Sequence, residues 1–195
     1  MSQVQEDTLP EDKPVIMNAL VAEFNAMRAE IIFRATSQAT LMQINITAAG
    51  TVAVFALSDK IHALTMIIIP ILSPVLGILW LDHDATIMKL GGFIKSKLKL
   101  AYRQVVFNFD FPDYESYANT ADALPVPRFA ILNFTTAVCA TFGLLPIAAF
   151  LYVVFNFDNV ESIAFLAPAS LAVLLLLMFF IQFTRRFGLS AIFRS

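Results

Sequence analysis

Side chains that could carry chemistry are concentrated in one apolar stretch, residues 41–57, and in the positions that flank it. A helical wheel places six hydroxyl and amide side chains within about 80° of each other. They are Thr36, Thr40, Gln43, Thr47, Thr51 and Ser58, and Gly50 and Val54 share their face. A polar stripe along an apolar helix either lines water or bonds neighbouring helices. Thr40, Gln43, Thr47 and Thr51 are thus candidate pore-lining residues, with helix packing as the alternative. Asn45 points the opposite way, which predicts a hydrogen bond to another helix.

The remaining polar residues form no constellation typical of an enzyme. His83 stands between Asp82 and Asp84, but adjacent side chains on a helix point about 100° apart and cannot converge on one metal ion. One of these aspartates is instead expected to N-cap a helix. Cys139 lies within an apolar stretch without a nearby base, which favours a packing role. We therefore expect no catalytic residue, metal ligand or cofactor.

The composition indicates that the chain is not a soluble domain. Apolar residues make up 58% of the sequence and charged residues 14%, whereas soluble domains average roughly 45–50% and 25%. The formal net charge of −2 argues against direct binding of nucleic acid, and a single cysteine excludes a disulfide framework. These values are typical of a protein whose main partner is a lipid bilayer.

Four uncharged stretches have lengths suited to crossing a membrane, for which roughly 17–25 residues are needed. They are residues 41–57, 63–81, 129–155 and 163–183. Every lysine and arginine except Lys60 falls in residues 1–40, 82–128 or 184–195. In a chain with four spans, these three segments lie on the same side of the membrane. Because basic residues are retained in the cytoplasm, both termini are predicted to be cytoplasmic. The two hairpins are residues 41–81 and 129–183.

The segment before the first span predicts a cytoplasmic amphipathic helix. Residues 1–13 form a polar tail, expected to be disordered, and Pro14 suits a first helical turn. No glycine or proline separates residues 14–40 from the first span, so both are predicted to form one continuous helix. An apolar stripe on it requires a partner helix, a second subunit or lipid, and is our candidate oligomer interface. It consists of Ile16, Leu20, Phe24, Met27 and Ile31.

Residues 82–128 predict a second cytoplasmic helix followed, at 105–127, by an irregular loop or a short strand-like segment used in self-association. Lys95, Lys99 and Arg103 recur at four-residue steps on this helix, which suits an anionic membrane surface or, alternatively, packing on the acidic N-terminal helix. Arg185 and Arg186 belong to the basic tail, 184–195, and are assigned to the membrane surface too. Candidate hinges are Pro70, Pro74, Gly91 and Gly92, although the glycines could equally mark a close contact. A face of small residues in the third stretch predicts helix packing, and it comprises Asn133, Thr136, Ala137, Ala140 and Gly143.

These features predict an all-α membrane protein with four transmembrane helices, a cytoplasmic helix continuous with the first span and another between spans two and three. Four spans without an ionisable side chain cannot enclose a wide aqueous path in one copy. A conducting form therefore requires a homo-oligomer.

Two segments also carry a family resemblance. The run from Glu23 to Ile31, EFNAMRAEI, with Arg34 and Gln38, precedes the first span, and Trp80-Leu81-Asp82-His83-Asp84 follows the second. The chain thus resembles a group of small, multi-span proteins of the bacterial inner membrane, over roughly residues 15–95. Some small multi-span proteins of similar layout look like effectors of antiphage systems, in which a membrane protein depolarises or permeabilises the cell. The resemblance implies an oligomeric pore in abortive infection; the alternative is a non-conducting anchor that recruits a cytoplasmic defence enzyme.

Overall fold

The computed structural model describes residues 13–57, 63–105, 137–156 and 163–187, and every one of these residues is helical. The predicted all-helical class is thereby confirmed for this part of the chain. Most of the predicted tail 1–13, most of the predicted loop at 105–127 and the end of the basic tail lie outside the described residues, as do Ser58, Asn133 and Thr136.

The helices follow each other in simple order along the chain. Helix α1 runs from Lys13 to Leu57, and a 3₁₀ turn at Ala63–Ile67 leads into α2, Ile68–Phe93. A π-helical turn, Ile94–Leu98, connects α2 to α3, Lys99–Val105. After residue 136 a second π-helical turn, Ala140–Leu144, precedes α4, Leu145–Asn156, and α5 covers Ile163–Phe187.

Four helical segments are long and apolar enough to cross a membrane. Their bounds are Lys13–Ala56, Thr65–Tyr102, Ala137–Phe155 and Phe165–Arg186. Each overlaps one of the stretches identified in the sequence, so the chain is a helical, multi-pass membrane protein whose described residues include four candidate spans.

Helix α1 is a single helix of 45 residues, about 68 Å long at 1.5 Å per residue. The hydrocarbon layer of a bilayer is about 30 Å thick, so more than half of α1 extends beyond it when the helix stands upright. The predicted continuity of residues 14–40 with the first span is confirmed. The sequence allows it because Pro14 lies in the first turn and the next glycine or proline is Gly50.

Helix α2 departs from the prediction near His83. Asp82 and Asp84 lie in the interior of a helix that continues from Ile68 to Phe93, so neither residue N-caps a new helix. The prediction of a cap was wrong because hydropathy falls at residue 82 while helix-forming residues continue to Gly91. Loss of apolar character ends the membrane-spanning stretch without ending the helix.

The chain divides into two compact units. The first contains α1 up to Phe33 together with the segment that begins at Ile87. The second contains Arg34–Thr86 and the described helices after residue 136. The second unit has two buried apolar clusters. One is formed by Ala49, Ala56, Met66, Ile67, Ile69, Ala149, Val153, Phe165 and Ala169, and the other by Trp80, Leu81, Val138, Phe142, Phe179 and Phe183.

Small residues allow α2 and α5 to pack closely with the third span. A Cβ added at Gly77 would lie 2.7 Å from Phe179 and 2.8 Å from Phe142. A Cβ added at Gly143 would lie 2.9 Å from the Phe180 ring. Lipid provides no hydrophobic force between helices, so such van der Waals packing holds a membrane bundle together. Gly143 is therefore part of a packing seam, as its place on the small-residue face predicts.

Candidate functional site in the first span

The candidate pore-lining residues form one outward face of α1. Thr40, Gln43, Thr47 and Thr51 are all exposed, and so are Thr36, Gly50 and Val54. We call these seven residues the polar face. On a helix with 3.6 residues per turn, this face is centred about 180° from Asn45. The polar face therefore points away from the other helices of the second unit.

Two threonines of the polar face, Thr40 and Thr51, satisfy their own hydroxyl groups. Thr40 Oγ1 donates to the carbonyl of Thr36 at 3.0 Å, and Thr51 Oγ1 donates to the carbonyl of Thr47 at 2.8 Å. Such bonds to the preceding turn let threonine face an apolar medium without an unpaired donor. Gln43 differs, because its carboxamide has no hydrogen-bond partner among the described residues. It therefore has two donors and one acceptor to offer to water or to another chain.

Asn45, on the opposite side, is 1% exposed and fully engaged. Its Nδ2 donates to the carbonyl of Thr141 at 2.9 Å, and its Oδ1 accepts a bond from Ser73 Oγ at 2.7 Å. One amide thus joins α1, α2 and the π-helical turn of the third span. The prediction that Asn45 bonds to another helix is confirmed, and the polar face is directed outward by this contact.

The Thr141 carbonyl is available because of Pro146. In the π-helical turn, the N–H of Leu145 bonds to the carbonyl of Ala140, five residues earlier. The same register would pair Thr141 with residue 146, but proline has no N–H. The Asn45 amide supplies the missing donor. A proline within a span, such as Pro146, is a sequence signal for an unpaired carbonyl, but it does not indicate which side chain would reach that carbonyl.

Two further contacts join α1 and α2 near one end of the second unit. Gln38 Nε2 donates to the carbonyl of Trp80 at 3.2 Å. Arg34 Nη1 lies 3.3 Å from His83 Nδ1, and because a guanidinium group only donates, Nδ1 accepts this bond. Arg34 and Gln38 of α1 therefore meet the residues around His83 of α2 within the second unit.

Asp84 forms an ion pair with Nε of Arg186, which joins α2 to α5. The two side chains are 20% and 28% exposed, so solvent screens the pair only in part. The sequence position of Arg186 predicts a place at the membrane surface. It does not indicate the bond to Asp84, because 102 residues separate the two partners. Arg185 is exposed beside it. Among the described residues, no group of three His, Cys, Asp or Glu side chains could hold a metal ion.

The candidate hinges and surface cations occupy varied environments. Pro70 and Pro74 are fully buried on either side of Ser73, and Pro74 lies inside α2. Gly91 is half-buried, whereas Gly92 has open space where a Cβ would be, so a close contact does not account for it. Lys95 is exposed and Lys99 is half-buried. Arg103 lies on α3.

The candidate oligomer interface lies in the first unit. Leu20, Phe24, Met27 and Ile31 are half-buried within the chain, and Ile16 is 46% exposed. The chain therefore covers part of this apolar stripe itself.

An apolar groove opens beside the polar face, in the second unit. It has a volume of about 480 Å³ and is lined by segments of α1, α2 and α4 together with the turn that precedes α2. Its walls are Ile46, Ala49, Gly50, Ala53, Met66, Ile69, Leu145, Ala148, Ala149 and Tyr152. Gly50 belongs to both the groove and the polar face, so the two features are continuous on α1.

Comparison with protein-family models, curated proteins and solved structures finds no match.

Proposed function

We propose that the protein assembles with copies of itself in a membrane and that the polar faces of α1 line a shared, water-filled path for ions. The observation that carries the proposal is the position of Gln43. Its carboxamide lies on the exposed side of a membrane-spanning helix and has no hydrogen-bond partner among the described residues.

Lipid is an unfavourable environment for such a group. Moving an amide from water into cyclohexane without a compensating hydrogen bond costs roughly 4–8 kcal/mol. Contact with water, or with Gln43 of a neighbouring copy, removes this cost. A ring of copies that turns the polar face toward its axis provides both environments.

A path between copies also agrees with the packing inside one copy. Trp80 is 1% exposed, and Phe142 and Phe179 are completely buried. These aromatic side chains fill the space between the described helices of the second unit. Water therefore has more room at an interface between copies than within the bundle.

The bacterial inner membrane, with both termini in the cytoplasm, is the setting that the basic residues and the family resemblance support. The resemblance further supports a role in abortive infection, in which the assembly depolarises the membrane of an infected cell. We include this role in the proposal, and expression in phage-challenged bacteria with a potential-sensitive dye tests it.

The central experiment replaces the polar groups by leucine. The double variant Gln43→Leu/Thr47→Leu is reconstituted in liposomes, and oligomer mass and ion flux are measured on the same sample. The proposal expects an intact oligomer with abolished flux, because apolar side chains dewet a narrow path. A matched control adds leucine at two exposed positions outside α1, Val75→Leu and Val173→Leu, and should conduct like the original protein.

Three results would contradict the pore. An intact oligomer with unchanged flux would mean that the polar face does not line the path. Loss of the oligomer would mean that the face is a packing seam. The absence of flux in the unaltered protein, together with capture of a cytoplasmic enzyme by α1, would favour the anchor.

A further inference from the structure

The polar face of α1 consists of neutral residues. Five of its seven side chains carry a hydroxyl group or a carboxamide, and the other two positions are Gly50 and Val54. Within the second unit α1 covers residues 34–57, and Arg34 is the one ionisable residue in this described range. Arg34 lies about 160° around the helix from the centre of the polar face. Its guanidinium group bonds to His83 of α2, so the full charge on this part of α1 is directed away from the polar face.

The polar face offers contacts to ions of both signs. Thr40 and Thr51 donate their hydroxyl hydrogens to carbonyls of the preceding turn. Each of these two oxygens keeps lone pairs, which can accept a hydrogen bond or contact a cation. Gln43 adds a carboxamide whose two N–H donors suit an anion and whose oxygen suits a cation. Side chains of this kind can replace part of the water around either type of ion.

We propose that the path conducts small inorganic cations and anions alike, such as K⁺ and Cl⁻, and does not select them by the sign of their charge. This inference rests on the proposed function and specifies the ions that the path carries. Channels that select ions by sign commonly do so with rings of charged side chains. In an oligomer, the polar faces surround the path with rings of threonine and glutamine instead.

A single fixed charge per copy would be enough to create a preference for one sign. One unit charge about 4 Å from an ion in water changes the population of that ion about fivefold. Because every copy in a ring repeats the same side chains, one charged position adds several charges to the path. The neutral polar face therefore predicts a permeability ratio of K⁺ to Cl⁻ that lies within about fivefold of one.

Two neighbouring positions on α1 test the inference at the same depth. Thr36 is exposed on the polar face, whereas Ala35 is exposed about 100° away from the centre of that face. The full-length protein is reconstituted in a planar bilayer, and the reversal potential in a KCl gradient gives the permeability ratio of K⁺ to Cl⁻. Thr36→Glu should raise this ratio by about fivefold or more, and Thr36→Lys should lower it by a similar factor. Ala35→Glu is the matched control and should leave the ratio unchanged.

An isosteric substitution within the span provides a second measurement. If position 43 contacts water, the carboxyl group introduced by Gln43→Glu ionises at neutral pH and raises the permeability ratio of K⁺ to Cl⁻. Acidification below the ordinary pKa of a glutamate, about 4.3, should then restore the original ratio. If position 43 contacts lipid, burial keeps the carboxyl group neutral and the ratio does not change. The oligomer mass of each variant, measured on the same sample, shows that the assembly is intact.

The outcomes separate this inference from the proposed function. If the unaltered protein carries no flux, both are wrong. If the flux depends on Gln43 but the unaltered permeability ratio differs from one by more than about fivefold, the path is selective and only this inference is overturned. Equal shifts from Thr36→Glu and Ala35→Glu would show that the polar face does not set the selectivity, and they would overturn it too. If none of the introduced charges changes the ratio in an intact oligomer, the polar face does not line the path and the proposed function fails as well.

Discussion

Asn45 and Gln43 carry the same functional group two positions apart on α1, and their environments are opposite. Asn45 is buried and bonds to both Thr141 and Ser73, whereas Gln43 is exposed and has no partner among the described residues. The difference separates two uses of polar groups in a membrane. A carboxamide that is satisfied inside the bundle fixes how its helices pack, whereas one left unsatisfied on the outside is available to water or to another chain.

Gly77 and Gly50 provide the same comparison between an inward and an outward position, and this pair should show the largest difference in the free energy of unfolding. Gly77→Leu should destabilise the fold by about 3 kcal/mol or more, because its first added carbon already overlaps Phe179 and Phe142. Gly50→Leu should leave the stability of a single copy nearly unchanged, because nothing lies within 4 Å of its Cβ position. Denaturant unfolding of both variants in detergent measures the difference. Equal losses would show that the two faces of the bundle are packed alike.

The two carboxamides provide the next prediction. Asn45→Leu should lower the free energy of unfolding by about 1–3 kcal/mol, because the Thr141 carbonyl and the Ser73 hydroxyl lose their partners inside the bundle. Gln43→Leu should change the unfolding of a single copy by less than about 0.5 kcal/mol. The same unfolding assay, at a dilution where the protein is monomeric, measures the free energy of unfolding of both variants. A larger loss at Gln43 than at Asn45 would reverse the comparison.

The ion pair between α2 and α5 should have a smaller effect. Arg186→Gln removes the charge opposite Asp84, and because both side chains are partly exposed the expected loss is about 1 kcal/mol. Arg185→Gln, at the exposed neighbouring position, is the matched control and should be neutral. Raising the salt concentration should reduce the difference between the two variants. A difference that does not respond to salt would indicate that Arg186 acts through packing instead.

Removing single hydroxyl groups should have the smallest effect on the stability of the fold. Ser73→Ala removes one buried bond to Asn45, and hydrogen bonds in membrane proteins average about 0.6 kcal/mol. Thr51→Val removes a bond to the preceding turn of its own helix, which leaves the fold unaffected. Thermal unfolding measures both variants. A greater loss from Thr51→Val would show that the polar face contributes to the fold of one copy.

Local sequence features predicted the elements, apart from the helix cap at Asp82 or Asp84, and they did not indicate which distant residues meet. The four spans, the length of α1 and the inward direction of Asn45 follow from hydropathy and helical periodicity, which depend on near neighbours. The pairing of Asp84 with Arg186 depends on how α2 and α5 pack, and no local pattern encodes it. The same holds for the groove, whose walls come from residues 46–53, 66–69 and 145–152.

The length of α1 has a mechanical consequence. A helix without glycine or proline from residue 15 to residue 49 resists bending, so it transmits a tilt from one end to the other. A tilt of about 5° displaces the end of a 68 Å rod by about 6 Å. A force applied near Phe24 would thus reach the polar face as a lateral displacement, and α1 would act as a lever. Replacing the exposed Ala35 and Thr36 by glycine should uncouple the two ends of α1. An antibody bound near Phe24 should then change the ion flux of the unaltered protein but not that of the glycine variant. An equal response of the two proteins to the antibody would refute the lever.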